Sequence, residues 1–185
     1  MHKNFFIHKT AQLYGDIEIG IGSSIWPNAV IRSEMFNVVI GDYSNVQDFV
    51  MIHIGSSTGT KIGNYCSIAH HSTIHGCKIG DNCLIGINAT IMDGAVIGDN
   101  CIVAGGSFIT ENSIIPDNSV VAGIPGKIKK NKNNFIGNRF NAYMYYYNSL
   151  AYNDGKYRSW SSDEFKKLAK EKMLEIQKEY ENLYS

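Results

Sequence analysis

The chain lacks any charge imbalance: Lys+Arg and Asp+Glu each number 17 among 185 residues, so the net charge is zero. That balance gives no field to steer a nucleic acid or an anionic membrane surface, and neither is expected as a partner. It also lowers the electrostatic barrier to self-association. There is no run of some 18 apolar residues to span a bilayer. The opening MHKNFFIHKT has no long apolar core of the secretory kind. A soluble, cytoplasmic protein is therefore expected, with Cys66, Cys77, Cys83 and Cys101 reduced. Proline is also scarce, 3 residues against 18 glycines. With many Ile and Val, that points to many short strands joined by tight turns.

What is present is a period of six. Aliphatic residues recur at Ile7, Leu13, Ile19, Ile25 and Ile31, then at Ile40, Val46 and Ile52, then at Ile62, Ile68 and Ile74. A last run holds Ile79, Ile85, Ile91, Ile97, Val103, Ile109, Ile115 and Val121. The breaks are steps of nine, ten and five residues, after Ile31, Ile52 and Ile74. A period of six fits neither a helix nor a simple alternation; it suits a parallel β-helix that turns a corner every six residues. The pattern resembles the hexapeptide-repeat family. That resemblance implies a left-handed parallel β-helix with three faces per coil, against the usual right-handed crossover. A mainly β chain is expected, with the helix and its metal site over 1–130 and a helical tail over 131–185. Cys66, Cys83 and Cys101 each stand four places after a ladder residue, and are expected to fill the interior as small hydrophobes.

With three steps per coil, residues three steps apart stack about 4.8 Å apart. Ile31, Ile52 and Ile74 then form one column, and the residues after them are Arg32, His53 and His75. On the preceding face, Gln47 lies under Ala69 and Asp48 under His70. His70 and His75 are five residues apart in extended chain, up to roughly 16 Å, too far for one zinc with bonds of about 2.0–2.1 Å. A second copy of the chain is therefore expected to close a site of His53, His70 and His75, and a three-sided column suits a closed threefold ring. Three neutral imidazoles plus water is the pattern of a catalytic zinc, which lowers the pKa of water toward about 7. His2, His8 and His71 are read as ordinary turn histidines.

Four motifs go further: WPNAVIRSE (Trp26–Glu34), SNVQD (Ser44–Asp48), MIH ending at His53, and SIAHHSTIHG (Ser67–Gly76). With LIGINATIMDGAVIG and VVAGIPGKIKK downstream, they resemble the γ-class carbonic anhydrases over most of residues 7–130. The resemblance implies a homotrimer holding Zn2+ (Fe2+ or Co2+ as alternatives) and converting carbon dioxide to bicarbonate. It implies metal binding by His53 and His75 of one subunit and His70 of its neighbour. Gln47 would orient the attacking oxygen, and Arg32 and Asp48 would pair across the subunit contact. Two departures stand out. Arg32-Ser33-Glu34 replaces Arg-Gly-Asp, and the segment after the first histidine, Gly55–Lys61, carries no carboxylate to relay protons.

Past Lys130 the ladder stops. Asn131–Asn134 reads as a polar linker, and a helix is expected over 138–152, its aromatic residues packed on the β-helix. Tyr146 and Asn148 resemble a Tyr-x-Asn element near the active site of the archaeal γ-class enzymes. Ser161-x-x-Glu164 reads as a capping box opening a helix over 162–183. The alternatives are a hexapeptide-repeat acyltransferase, which needs one histidine base and no metal, and a non-catalytic metal-binding homologue. Fold alone does not separate the three.

Overall fold

The computed structural model describes residues 5–184; His2 lies outside the described residues. The chain coils as a parallel β-solenoid of about six turns followed by two helices. Short parallel strands stack on one face from Phe6–Ile7 through Ser24–Ile25, Asn45–Val46, Ser67–Ile68, Leu84–Ile85 and Ile102–Val103 to Ser119–Ala122. The second face stacks Gln12–Ile19, Val30–Ile40, Met51–His53, Thr73–His75, Thr90–Ile91 and Phe108–Ile109. The third carries Thr60–Ile62, Lys78–Ile79, Val96–Ile97 and Ile114–Ile115. Strands Gln12–Ile19 and Val30–Ile40 run on around the corner and join the last two faces.

The ladder sits where the period of six places it. Val46 pairs with Ile68, Ile31 with Ile52, and Ile52 with Ile74. From Ile25 to Ile109 the ladder isoleucines are at most 2 % exposed and form one continuous core. The Cys66, Cys83 and Cys101 thiols lie inside it, donating to the carbonyls of Gly80, Gly98 and Pro116. At the corner between third and first faces, an Asp or Asn of one coil accepts from a backbone N–H of the coil before. Asp42 bonds Ile21, Asn64 bonds Asp42, Asp81 bonds Asn64, Asp99 bonds Asp81 and Asp117 bonds Asp99, at 2.7–2.8 Å. This explains the recurring Ile-Gly-Asp. A Cβ on Gly63 would meet the Asp81 carboxylate at 2.3 Å, so the glycine makes room for the acid above it.

The tail departs from expectation in three places. Asn131 belongs to strand Lys127–Asn131, which pairs antiparallel with Ser119–Ala122. Asn134 is buried, bonding the Asn100 and Lys132 carbonyls, so this segment is docked rather than a free linker. The cap of the last helix is Ser162, one residue later than the box reading, because its hydroxyl accepts from the Phe165 N–H at 3.1 Å. The helices are α1, Phe135–Asn153, and α2, Asp163–Tyr184. Helix α1 lies along the first face, and α2 packs on α1. Trp26 meets Tyr145 and Tyr152 edge-on, Tyr43 stacks on Tyr65, and Arg139 covers the Tyr65 ring while pairing with Glu179. The aromatic stretch therefore clamps α1 to the first face. No helix among the described residues is long and apolar enough to cross a membrane.

Candidate functional site

The three irregular ladder steps share one corner, between the second and third faces. Arg32, His53 and His75 leave the second face there, and His53 and His75 are direct neighbours on adjacent strands. The His75 Nδ1 bonds the Asp93 carboxylate, and the His53 Nε2 lies 2.8 Å from Glu34 Oε2. A carboxylate only accepts, so the proton of each neutral ring sits on the nitrogen that faces it. That leaves His53 Nδ1 and His75 Nε2 as bare lone pairs, and they face each other at 3.1 Å. Two lone pairs at that distance repel unless something positive sits against both. The donor set therefore fits a metal ion: two imidazole nitrogens at this separation can share one ion with bonds of about 2.0–2.1 Å.

Glu34 also pairs with Arg32. Desolvation is the largest single influence and raises its carboxyl, but the His53 hydrogen bond, the Arg32 charge and weaker contributions together outweigh it and hold the group below its ordinary value. The glutamate that replaces the expected aspartate thus reaches a histidine.

His70 stands at the corner between the first and second faces. Its Nδ1 is 3.0 Å from Asp48 Oδ2, and Tyr145 Oη lies 3.5 Å from its Nε2. Burial, with the Asp48 charge adding to it, pushes the Tyr145 phenol up to about 12, so it stays protonated. By the same acceptor argument His70 Nε2 is a lone pair, and it accepts a long hydrogen bond from the Tyr145 hydroxyl. Among the described residues of one chain, no group of three His, Cys, Asp or Glu is placed to hold a metal ion.

Gln47 is buried, and its amide nitrogen donates to Asn45 Oδ1 at 2.9 Å. Asn45 donates in turn to Ser67 Oγ, which also accepts from Asn141 of α1. Tyr146 packs against Tyr43, and Asn148 accepts from Ser159, so neither meets the histidines of its own chain. The tyrosine beside His70 is Tyr145. His71 stacks on Phe49, and His8 bonds Thr10. The sequence reading missed Asp93, Asn45, Ser67, Asn141 and Tyr145. A signal for Asp93 existed: it follows Ile91 by two, at the same corner, one coil above His75.

The parallel solenoid of six-residue steps defines the class. Residues 76–111 match the family model described as "Bacterial transferase hexapeptide (six repeats)". It is 51 % identical over 89 residues to a probable carbonic anhydrase of Methanocaldococcus jannaschii, covering 48 % of this chain and 56 % of that protein. It is 36 % identical over 100 residues to the mitochondrial gamma carbonic anhydrase 2 of Arabidopsis thaliana, covering 51 % and 36 %. The chain thus spans about half the length, or less, of these two relatives. Among solved structures, a hexapeptide transferase family protein from Anaplasma phagocytophilum superposes with a TM-score of 0.71 at 28 % identity, covering 80 % of this chain and 92 % of that one.

Proposed function

We propose that the chain catalyses the reversible hydration of carbon dioxide to bicarbonate at a metal ion shared between copies in a homotrimer. His53 and His75 would come from one copy and His70 from its neighbour. One observation carries this reading: each of the three histidines has one ring nitrogen on a carboxylate, while its other nitrogen meets a second histidine or the Tyr145 hydroxyl. Carboxylate-held imidazoles are the usual first partners of a catalytic metal, because the outer bond fixes the tautomer and raises ligand basicity. The similarity to proteins named as carbonic anhydrases supports the same reading.

Imidazole suits zinc, iron and cobalt, and zinc is our first choice. When bound, such an ion supplies a Lewis acid that makes water nucleophilic near neutral pH. The chain's own residues do the rest. Gln47, held from behind by Asn45, aims the attacking oxygen at the carbon of carbon dioxide. Water and carbon dioxide give bicarbonate and one proton, and that proton leaves to buffer, since Gly55–Lys61 offers no carboxylate. Arg32 spends donor capacity on Glu34 yet stays half-exposed, with further donors to meet Asp48 of a neighbouring copy.

A second reading rests on His70 and Asp48. That pair is also the arrangement of a single general base, and the chain resembles a solved hexapeptide transferase family protein. Stopped-flow hydration of carbon dioxide on zinc- or iron-loaded protein separates the two. A metal-dependent rate well above buffer is expected. Full metal occupancy without hydration, together with turnover of an acyl-coenzyme A, refutes the first reading in favour of the second. Sedimentation of the metal-loaded protein should give a trimer; a stable metal-loaded monomer refutes the shared site.

A further inference from the structure

The His75 ring is held by a residue outside the expected site. Asp93 reaches it from the coil above, across a bay formed by two glycines. A Cβ at Gly76 would meet Asp93 Oδ1 at 2.9 Å, and one at Gly55 would meet Asp93 Oδ2 at 3.0 Å. The backbone around this bay is tied across three coils. The Gly76 N–H donates to the His53 carbonyl at 3.1 Å, and the Gly94 N–H donates to the Gly76 carbonyl at 2.9 Å. Asp93 is thus anchored by its own turn, lies over a surface with no side chains, and has its carboxylate on His75 Nδ1.

We infer that Asp93 is a positioning residue that holds His75 as its Nδ1–H tautomer, so that Nε2 is the lone pair presented to His53 and to the metal. The two histidines are held in opposite senses. Asp93 takes the Nδ1 side of His75, while Glu34 takes the Nε2 side of His53. Only this mixed pair turns a δ nitrogen and an ε nitrogen toward one point. If His75 carried its proton on Nε2 instead, an N–H would fill the space between the rings and block the ion. Asp93 is two-thirds buried and Glu34 about half-exposed, with side-chain exposures of 32 % and 47 %. The Asp93 contact is therefore the less screened of the two, and the larger effect is assigned to it. This inference rests on the metal reading for its consequence, but its first half concerns the metal-free chain.

The test has two readouts. Protein labelled with 15N-histidine, free of metal, is examined by long-range 15N–1H correlation to assign the His75 tautomer. Zinc affinity is then measured by competition with a chromophoric chelator. The parent should show the Nδ1–H form. Asp93→Ala should lose it and bind Zn2+ about 10–100-fold more weakly, the range for loss of such an outer partner. Asp93→Asn keeps an accepting oxygen, so it should retain the tautomer and fall in between. Asp99→Ala removes a carboxylate of the corner ladder far from the histidines, and should leave both readouts unchanged. Parent His75 in the Nε2–H form overturns the inference, as does Asp93→Ala binding zinc within about twofold of the parent while folded. Should the parent bind no zinc, the metal reading fails, and the tautomer spectra of parent and Asp93→Ala still decide the role of Asp93.

Discussion

Replacing Gly76 with alanine tests the close approach of adjacent coils beside the histidines. Gly76 lies at φ 52°, and its new Cβ would meet the Cα and the nitrogen of Gly55 at 2.8 Å each, besides Asp93 Oδ1. Two of those three atoms are backbone of the adjacent coil, which is held by its own ladder and yields little. The left-handed conformation costs roughly 1–2 kcal/mol for an L side chain. Forcing a methyl into packed backbone adds roughly 1–3 kcal/mol, so Gly76→Ala should destabilise by about 2–5 kcal/mol. Gly106 gives the control. It has nearly the same backbone, at φ 69°, but nothing lies within 4 Å of its Cβ position. Gly106→Ala should cost only the conformational part, roughly 1–2 kcal/mol. Urea unfolding at one fixed protein concentration measures both, because any self-association makes stability depend on concentration; a shared slope validates the comparison. Equal losses for the two variants would refute the close approach of the coils at Gly55 and Gly76, and with it the bay that admits Asp93.

Three further outcomes are expected. His70→Ala should lose bound metal and keep its circular dichroism spectrum, since the ring sits on an exposed corner and a pair at that exposure contributes only about 0–1 kcal/mol; equal metal content in variant and parent would remove His70 from the ligand set. Gln47→Ala should retain metal while hydration falls roughly 10²-fold, and an unchanged stopped-flow rate would take Gln47 out of the mechanism. All four cysteines are buried, and burial pushes the Cys77 thiol up to about 12. None should react with a disulfide reagent at pH 8 until denaturant is added; fast labelling of the native protein would contradict the packed interior.

The repeat was legible because a coil of this kind is a local device. Each aliphatic residue needs only its place in a six-residue step, and the stacking of His53 on His75 follows by counting. The paired histidine and aspartate at 70 and 48 follow from the same count. The tail was less legible. A helix of tyrosines shows no clear apolar stripe, so which ring meets His70 depends on how α1 is rotated against the first face. That rotation is set by Trp26, Tyr43 and Tyr65, and it brings Tyr145 rather than Tyr146 to the histidine. The Ser162 cap escaped for a simpler reason. Two adjacent serines offer the same hydroxyl, and Ser161 is drawn instead to the Arg158 carbonyl.

The amino-acid sequence by itself determined the coil, its register, the buried ladder and the column of histidines, since these depend on spacing that backbone pairing repeats without change. Tertiary structure alone decided which nitrogen of His53 and of His75 faces a carboxylate. That choice rests on Asp93 and Glu34, and both reach their rings through breaks in the repeat. Glu34 lies in the nine-residue step after Ile31, and Asp93 lies above the short step that follows His75. Spacing sets which residues stack, but a carboxylate's reach around a corner depends on the backbone path there, and no periodic rule prescribes it.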